Sequence, residues 1–437
     1  MSHTLSIPPV SGPIHGVVRP PGSKSITNRA LVCSGLARGE SLLTGVLDSE
    51  DTRVMVAGLA ALGIPIQADW AASELRVQGS GGLIPAATAT LDCRASGTTM
   101  RFLSAVCGLG HGSYRLDGTA RMRKRPIDDL LGAMRSLGVD SEAQSEGGCP
   151  PVVIRSQGMQ GGRVAVAGGT SSQFASGLSL VAPCTADGME IEFAGELVSL
   201  PYLAMTRHVM EAFGGCCLVV NERTWRIAPS GYEGRRYAIE PDASAASYFT
   251  AAAAITGGTV RIEGLGRGSM QGDIGFCDAL GAMGCTVTWD VDAVTVAGRA
   301  ARGIEIDMNA ISDTVPTLAV VALFATGPTA IRNVAHVRDK ETDRISDLVR
   351  ELRRLGADVE ERPDGLTIWP AGERGPLHAA RIRTYDDHRM AMSLSLAGLQ
   401  VEGVEIDDPA CVGKTFPGYW TTLGNVAGFP QPFPPAA

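Results

Sequence analysis

A leucine, or an apolar equivalent, followed by glycine recurs six times along the chain: Leu62-Gly63, Leu137-Gly138, Phe213-Gly214, Met283-Gly284, Leu355-Gly356 and Leu423-Gly424. Successive copies stand about 70 residues apart, which points to an array of supersecondary units larger than a solenoid repeat. A helical pattern precedes most of these glycines. In RISDLVRELRRLGADVE, Ile345, Leu348, Leu352 and Leu355 fall on one face and Gly356 supplies the C-cap. A strand is expected to follow, as in VTWDVDAVTVAG (287–298).

Each unit also carries a helix that is apolar nearly all round: ALVCSGLA, RFLSAVCGL, FASGLSLVA, SYFTAAAAI, TLAVVALFA and MAMSLSLAGL. Helices of that kind belong inside a domain. Their N-terminal approaches are polar (GSKSITN, RASGTT, GTSSQ, PDASAA, SDTV and YDDHR), and hydroxyls or carboxylates there suit N-caps. If three such helices per half aim their N-termini at a shared cleft, their dipoles make a site that attracts anions.

At 437 residues the chain is too long for a single core, so two domains are expected. The boundary falls after the third copy, near RRYAIEPDAS (235–244), and the first copy opens at PGSKS. That gives one domain over 22–238 and a second built from 1–21 plus 239–437, with residues 1–21 pairing as a strand and the two crossings forming a hinge.

Apolar segments are short and interrupted, so none spans a bilayer. The start, MSHTLSIPPVSG, has neither the basic residues nor the apolar run of a signal peptide, so a cytoplasmic protein is expected. Ten cysteines without a C-x-x-C pair read as reduced, buried thiols rather than disulfides or a zinc site. A net charge of −8 argues against nonspecific nucleic-acid binding. No cluster has metal-ligand spacing, so neither metal nor organic cofactor is expected.

Of 38 basic residues only four are lysines: Lys24, Lys124, Lys340 and Lys414. Arginine-rich coding accounts for the shortage but not for where lysine survives, which is always in a polar motif. Lysine is a compact charge that can change protonation state, a role arginine cannot fill. The stretch around the first, RPPGSKSITNRA (19–30), has Gly-Ser-Lys-Ser without the earlier glycine that a P-loop needs. The anion it holds is therefore not expected to be a nucleotide phosphate.

PGSKSITNRA, SGTTMR, RMRKRPI, SSQF, EPDASAASYF, SMQGDI, RDKETDR, YDDHRMAM and KTFPGYW occur in this order, and the set resembles the 5-enolpyruvylshikimate-3-phosphate synthase family over essentially the whole chain. The resemblance implies an α/β fold: a two-domain inside-out α/β barrel, each domain three βαβαββ repeats with buried helices. It also implies transfer of the carboxyvinyl group of phosphoenolpyruvate to the 5-hydroxyl of shikimate 3-phosphate, by a monomer with small-molecule substrates only.

By the same resemblance Lys24 lies between the substrates. Ser25, Arg29, Ser171, Ser172, Gln173, Ser199, Tyr202, Asp313, His336 and Lys340 serve shikimate 3-phosphate. Gly97, Arg125, Gln173, Arg344, Arg389 and Lys414 serve phosphoenolpyruvate. Asp313, Glu341, Lys24 and Lys340, with His388 nearby, form the acid–base set. The chemistry needs a base at the 5-hydroxyl and a proton donor at C3, which carboxylates beside cations can supply. Structural alternatives exist: a surface ion pair for Arg344 in a charged helix start, a pair between Arg389 and Asp386, and caps for Thr170 and Ser171.

The chain departs from the family's pattern at several positions. Leu200 stands where a lysine is common, and His336 where asparagine is common. Arg94-Ala95-Ser96-Gly97-Thr98-Thr99-Met100-Arg101-Phe102 replaces the usual Gly-Asn-Ala-Gly-Thr-Ala-Met-Arg-Pro. Handling of phosphoenolpyruvate and of its competitor glyphosate is expected to differ accordingly. The rival readings are the sister transferase acting on UDP-N-acetylglucosamine, and an RNA-end-processing or non-catalytic protein of related units. The first is disfavoured by Lys24-Ser25 and the absence of cysteine from TARMRKRPIDD (119–129), the second by the acidic balance.

Overall fold

Five of the six Leu-Gly signals end a helix in the computed structural model, which describes residues 4–169, 171–195, 198–371 and 375–434. Gly63, Gly138, Gly214, Gly284 and Gly356 follow the helices Glu50–Ala61, Asp128–Ser136, Leu200–Ala212, Phe276–Ala282 and Ser346–Arg354, with φ of 90°, 85°, 90°, 108° and 89°. That left-handed conformation is cheap only for glycine, and it turns the chain into the next strand. The sixth signal works differently. Gly424 lies inside the helix Tyr419–Ala427, where a β-carbon would fall 2.7 Å from that of Phe433; the left-handed stop is Gly428, at φ 70°.

The chain divides into two compact units, Gly22–Glu240 and Met1–Pro21 with Pro241–Ala437. In the first, three four-stranded sheets follow one plan. Arg236–Ala238, Glu40–Thr44, Glu74–Gln78 and Ile66–Asp69 form one sheet in that order. Thr88–Asp92, His111–Asp117, Cys149–Gln157 and Asp140–Ser145 form the next, and Gly162–Ala167, Met189–Ala194, Thr224–Ile227 and Cys217–Asn221 the third. The first two strands of each sheet are parallel and the remainder antiparallel. A parallel pair needs a crossover between its strands, and the apolar helices Gly97–Cys107 and Ser172–Val181 supply it in the second and third sheets; in the first, the parallel strands come from opposite ends of the unit's sequence.

The other unit repeats the plan. His15–Val18 runs parallel to Thr259–Glu263, Glu305–Asp307 to Thr329–Arg332, and Ala380–Ile382 to Val404–Asp407. Residues 1–21 give two strands rather than one: His15–Val18 joins the first of these sheets, and Thr4–Ile7 pairs antiparallel with Val404–Asp407 in the third. The stretch 287–298 is likewise not a single strand. It breaks into the hairpin Thr286–Trp289 and Ala293–Ala297, with Val291 exposed at its turn.

The six apolar helices are Lys24–Leu36, Gly97–Cys107, Ser172–Val181, Ala243–Thr256, Val315–Ala322 and His388–Ser395. Three of them, Gly97–Cys107, Ala243–Thr256 and Val315–Ala322, are buried at every position, and His388–Ser395 is as well. Burial on all sides is the physical counterpart of a sequence with no polar face. Among the described residues no helix is long and apolar enough to cross a membrane. The ten cysteines form no disulfide, and most are buried; of the adjacent pair, Cys216 is exposed and Cys217 half-buried.

Candidate active site

In the unit Gly22–Glu240, the starts of the three buried helices carry the predicted polar residues. Lys24 opens the first helix, and its Nζ lies 3.2 Å from Oδ2 of the buried Asp51. Asp51 is held in the first turn of Glu50–Ala61, which Ser49 and Thr52 close with a reciprocal capping box. Arg29, one turn on from Ser25, is almost wholly buried. Its Nε donates to Thr206 Oγ1 at 2.8 Å, Nη1 to the Ser25 carbonyl at 2.9 Å, and Nη2 to Ser176 Oγ and the Tyr202 carbonyl, each at 3.3 Å. The guanidinium stacks 5.2 Å from the Phe102 ring centre and 5.9 Å from that of Tyr202.

All these partners are neutral. Burial pushes the Arg29 guanidinium down to about 10, so it stays charged at neutral pH, and among the described residues no carboxylate pairs with it. A buried cation with neutral partners only is a standing attraction for an anion.

The second helix begins with Ser96 as cap, accepting from the Thr99 amide at 3.3 Å. Gly97 follows under two guanidinium groups: a β-carbon there would lie 2.5 Å from Nη1 of Arg101 and 2.7 Å from Nη1 of Arg125. Arg125 is buried, and its Nε finds no hydrogen-bond partner among the described residues. Two cations over a helix N-terminus form an anion-binding arrangement. On the third helix Ser171 is indeed a cap, accepting from the Gln173 amide at 3.2 Å; Thr170 lies outside the described residues. Gln173 Nε2 reaches Thr98 Oγ1 at 3.2 Å, which ties the second and third helix starts together, and its Oε1 is buried without a partner among the described residues. Ser172 is buried; Ser199 is buried in a left-handed conformation (φ 55°) ahead of Leu200–Ala212, with Leu200 itself exposed.

In the other unit three cations and three carboxylates form one network. Arg344 donates from Nη1 to Asp313 Oδ1 at 3.1 Å, from Nη2 to Glu341 Oε2 at 2.8 Å, and from Nε to Asp387 Oδ2 at 2.8 Å. Arg389 Nη2 donates to the other Asp313 oxygen at 2.7 Å, and Lys414 Nζ to the other Glu341 oxygen at 2.9 Å. Burial alone would push the Arg344 guanidinium down; the charges of Asp387, Glu341 and Asp313 outweigh it and hold it above its ordinary value. Arg344 is thus not a surface ion pair. RDKETDR starts at the end of the 3-10 helix Ala335–Asp339 and runs on as an irregular segment that ends before the helix Ser346–Arg354 begins.

His388 is the first residue of its helix and is buried, with Nδ1 3.7 Å from Asp387 Oδ1. His336 is pushed down to about 4, by burial first and the Lys340 charge second, so it is a neutral imidazole at neutral pH.

Sequence reasoning missed several members of these clusters. Asp387 and Tyr248, whose hydroxyl accepts from Arg389 Nη1 at 3.4 Å, belong to the network, as does Asp51 to Lys24. Asp273, bonded to the Ser244 hydroxyl, is raised well above the usual carboxylate range by burial and by the Asp313 charge. Asp387 was legible as the cap before an apolar helix in YDDHRM; the others left no local signal.

The family model for EPSP synthase (3-phosphoshikimate 1-carboxyvinyltransferase) matches residues 9–423. A 3-phosphoshikimate 1-carboxyvinyltransferase of Nostoc punctiforme is 46% identical over 420 residues, 96% of this chain and 98% of that protein. One of Edwardsiella ictaluri is 45% identical over 426 residues, 96% and 98% of the two chains. An EPSP synthase structure from Acinetobacter baumannii superimposes with a TM-score of 0.78 at 26% identity, covering 97% of this chain and 98% of that one. The enolpyruvyl transferase NikO of Streptomyces tendae shares the fold, with a TM-score of 0.76 at 20% identity over 98% of each chain. With the model spanning nearly the whole sequence and relatives this similar end to end, the chain belongs to the EPSP synthase family.

Proposed function

We propose that the chain transfers the enolpyruvyl group of phosphoenolpyruvate to the 5-hydroxyl of shikimate 3-phosphate, releasing phosphate. The reading rests on the family together with one observation. Asp313 and Glu341, carboxylates able to move protons, are hydrogen-bonded to Arg344, Arg389 and Lys414, cations suited to phosphate and carboxylate. Acid–base groups and anion ligands in one network are what addition to a phosphorylated enol requires.

In this reading Asp313 takes the 5-hydroxyl proton as its oxygen attacks C2 of phosphoenolpyruvate, and C3 receives a proton from Glu341 or Lys24. The resulting tetrahedral phosphate ketal then loses phosphate, which carries off the proton held by Asp313, while the C3 proton returns to the group that donated it and the double bond is restored. Ser25, Arg29, Ser171, Ser172, Gln173, Ser199 and Tyr202, with His336 and Lys340, are assigned to shikimate 3-phosphate. Lys24, Gly97, Arg125, Gln173, Arg344, Arg389 and Lys414 are assigned to phosphoenolpyruvate. The uncompensated charge on Arg29 and the convergence of Arg101 and Arg125 over Gly97 support those assignments. His388 is assigned a supporting part in the acid–base set.

The architecture proposed to carry this chemistry is the inside-out α/β barrel, three βαβαββ repeats to a domain, with domains over 22–238 and over 1–21 plus 239–437, acting as a cytoplasmic monomer. Phosphate release measured with either substrate, with both, and with UDP-N-acetylglucosamine in place of shikimate 3-phosphate tests the activity. Release that requires both proposed substrates is the expected result; release with the nucleotide sugar would replace the reading with that of the sister transferase.

A further inference from the structure

The three carboxylates around Arg344 are of two kinds. The side chains of Asp313 and Glu341 are 16% and 12% exposed, whereas that of Asp387 is 0% exposed. Asp387 binds Arg344 side-on: Oδ2 accepts from Nε at 2.8 Å and Oδ1 from Nη2 at 3.2 Å. Oδ1 also caps the helix His388–Ser395 by accepting the Arg389 amide at 2.8 Å. A single buried carboxylate therefore fixes the guanidinium of one arginine and the backbone of the other.

The approach to Asp387 is shaped for this. Tyr385 and Asp386 both adopt left-handed conformations, each at φ 57°, which L residues avoid and which persist only where the surroundings hold them. Tyr385 is anchored through its hydroxyl to Glu351 at 2.7 Å, and the Asp387 amide donates back to Thr384 at 3.0 Å. The strained pair turns the chain so that Asp387 enters the interior beneath Arg344.

We infer that Asp387 is a positioning residue for the transfer reaction. Resting on the assignment of phosphoenolpyruvate to Arg344 and Arg389, the inference adds why those two groups hold still. Asp313 and Glu341 change hydrogen-bonding partners as protons move, and a guanidinium paired only with them would turn with each change. Asp387, sealed from solvent, keeps a full ionic partner on the Nε edge of Arg344 throughout and leaves Nη1 and one Nη2 hydrogen facing the two slightly exposed carboxylates, Asp313 and Glu341. It touches no substrate in this role.

Two substitutions separate positioning from folding. Asp387→Ser keeps a hydroxyl able to cap the helix but cannot pair with Arg344. Asp387→Asn keeps the shape but turns an N–H toward the guanidinium N–H. For each, KM for both substrates, equilibrium binding of shikimate 3-phosphate alone and the unfolding midpoint are measured. The expected result is a rise in KM for phosphoenolpyruvate of about tenfold or more, the scale of a lost hydrogen bond to a charged group, with shikimate 3-phosphate binding unchanged within about twofold. An unchanged phosphoenolpyruvate KM in Asp387→Ser overturns the inference. So does a parallel loss of affinity for both substrates with a lowered midpoint, which marks a merely structural residue. Arg344→Lys, which keeps the charge and loses the fork, is the control for the assignment beneath. If Arg344→Lys raises the phosphoenolpyruvate KM and Asp387→Ser does not, only the positioning role fails; if neither does, the assignment itself fails.

Discussion

Lys414 and Glu341 are hydrogen-bonded, Nζ to Oε1, at 2.9 Å, and both side chains are largely buried. One of the four lysines of the chain thus sits on a carboxylate proposed to move a proton, 73 residues away in sequence. Arg344 takes the other oxygen, so Glu341 lies between two cations.

Removing one of those cations should disturb both binding and chemistry. Lys414→Met is expected to lower kcat/KM for phosphoenolpyruvate on the order of a hundredfold, the scale for loss of one preorganised charged donor. Steady-state kinetics at saturating shikimate 3-phosphate measure it, and a loss smaller than about threefold would contradict the placement of Lys414 in the site.

Gly97→Ala is expected to raise KM for phosphoenolpyruvate by about tenfold or more, because the methyl group would lie 2.5 Å and 2.7 Å from the Nη1 atoms of Arg101 and Arg125 and must displace them. Gly97 does not occupy the left-handed region, so the backbone tolerates alanine and the unfolding midpoint should hardly move. A large drop in the midpoint would show that the space, rather than the anion site, is what glycine serves.

His336 gives a pH dependence of known sign. Its value in the fold, about 4, lies below its ordinary 6.5, so the neutral form is the one the fold accommodates. The stability this contributes is fully present above about pH 6.5 and is lost as pH falls toward 4, amounting to roughly 3 kcal/mol at most. Urea midpoints for the native chain and His336→Asn should therefore run parallel above pH 7 and diverge below 6.5, the native chain losing stability faster. Parallel curves down to pH 4 would rule this out.

Phe102 stacks on Arg29 from inside the helix Gly97–Cys107 and is buried. Phe102→Ala should cost about 3–5 kcal/mol of stability from the cavity alone. It should also raise KM for shikimate 3-phosphate, since Arg29 loses the surface that orients it. Phe102→Pro, which restores the residue usual in the family, should change inhibition by glyphosate; identical inhibition curves for the two proteins would remove Phe102 as the cause of any difference.

Much of this was local, and what was local was legible. The glycines after five helices announce themselves because only glycine enters the left-handed region cheaply, and the apolar helices because no polar face interrupts them. The caps Ser96, Ser171 and Asp387 follow from hydroxyls or carboxylates just ahead of an apolar run. The reading of Gly424 as another helix stop failed because a glycine needed for close approach to Phe433 looks the same in sequence as one needed for a turn.

The sequence by itself determined the repeat, the buried helices, the family and which side chains are able to bind anions or carry protons. Only the tertiary structure decided which charge meets which: that Lys24 rests on Asp51, that the hydrogen-bond partners of Arg29 among the described residues are neutral, and that Asp387 holds Arg344. Secondary structure is set by neighbours a few residues apart, which a sequence displays. Ion pairing is set by distances of a few ångströms between residues tens of positions apart, and these exist only once the chain has folded.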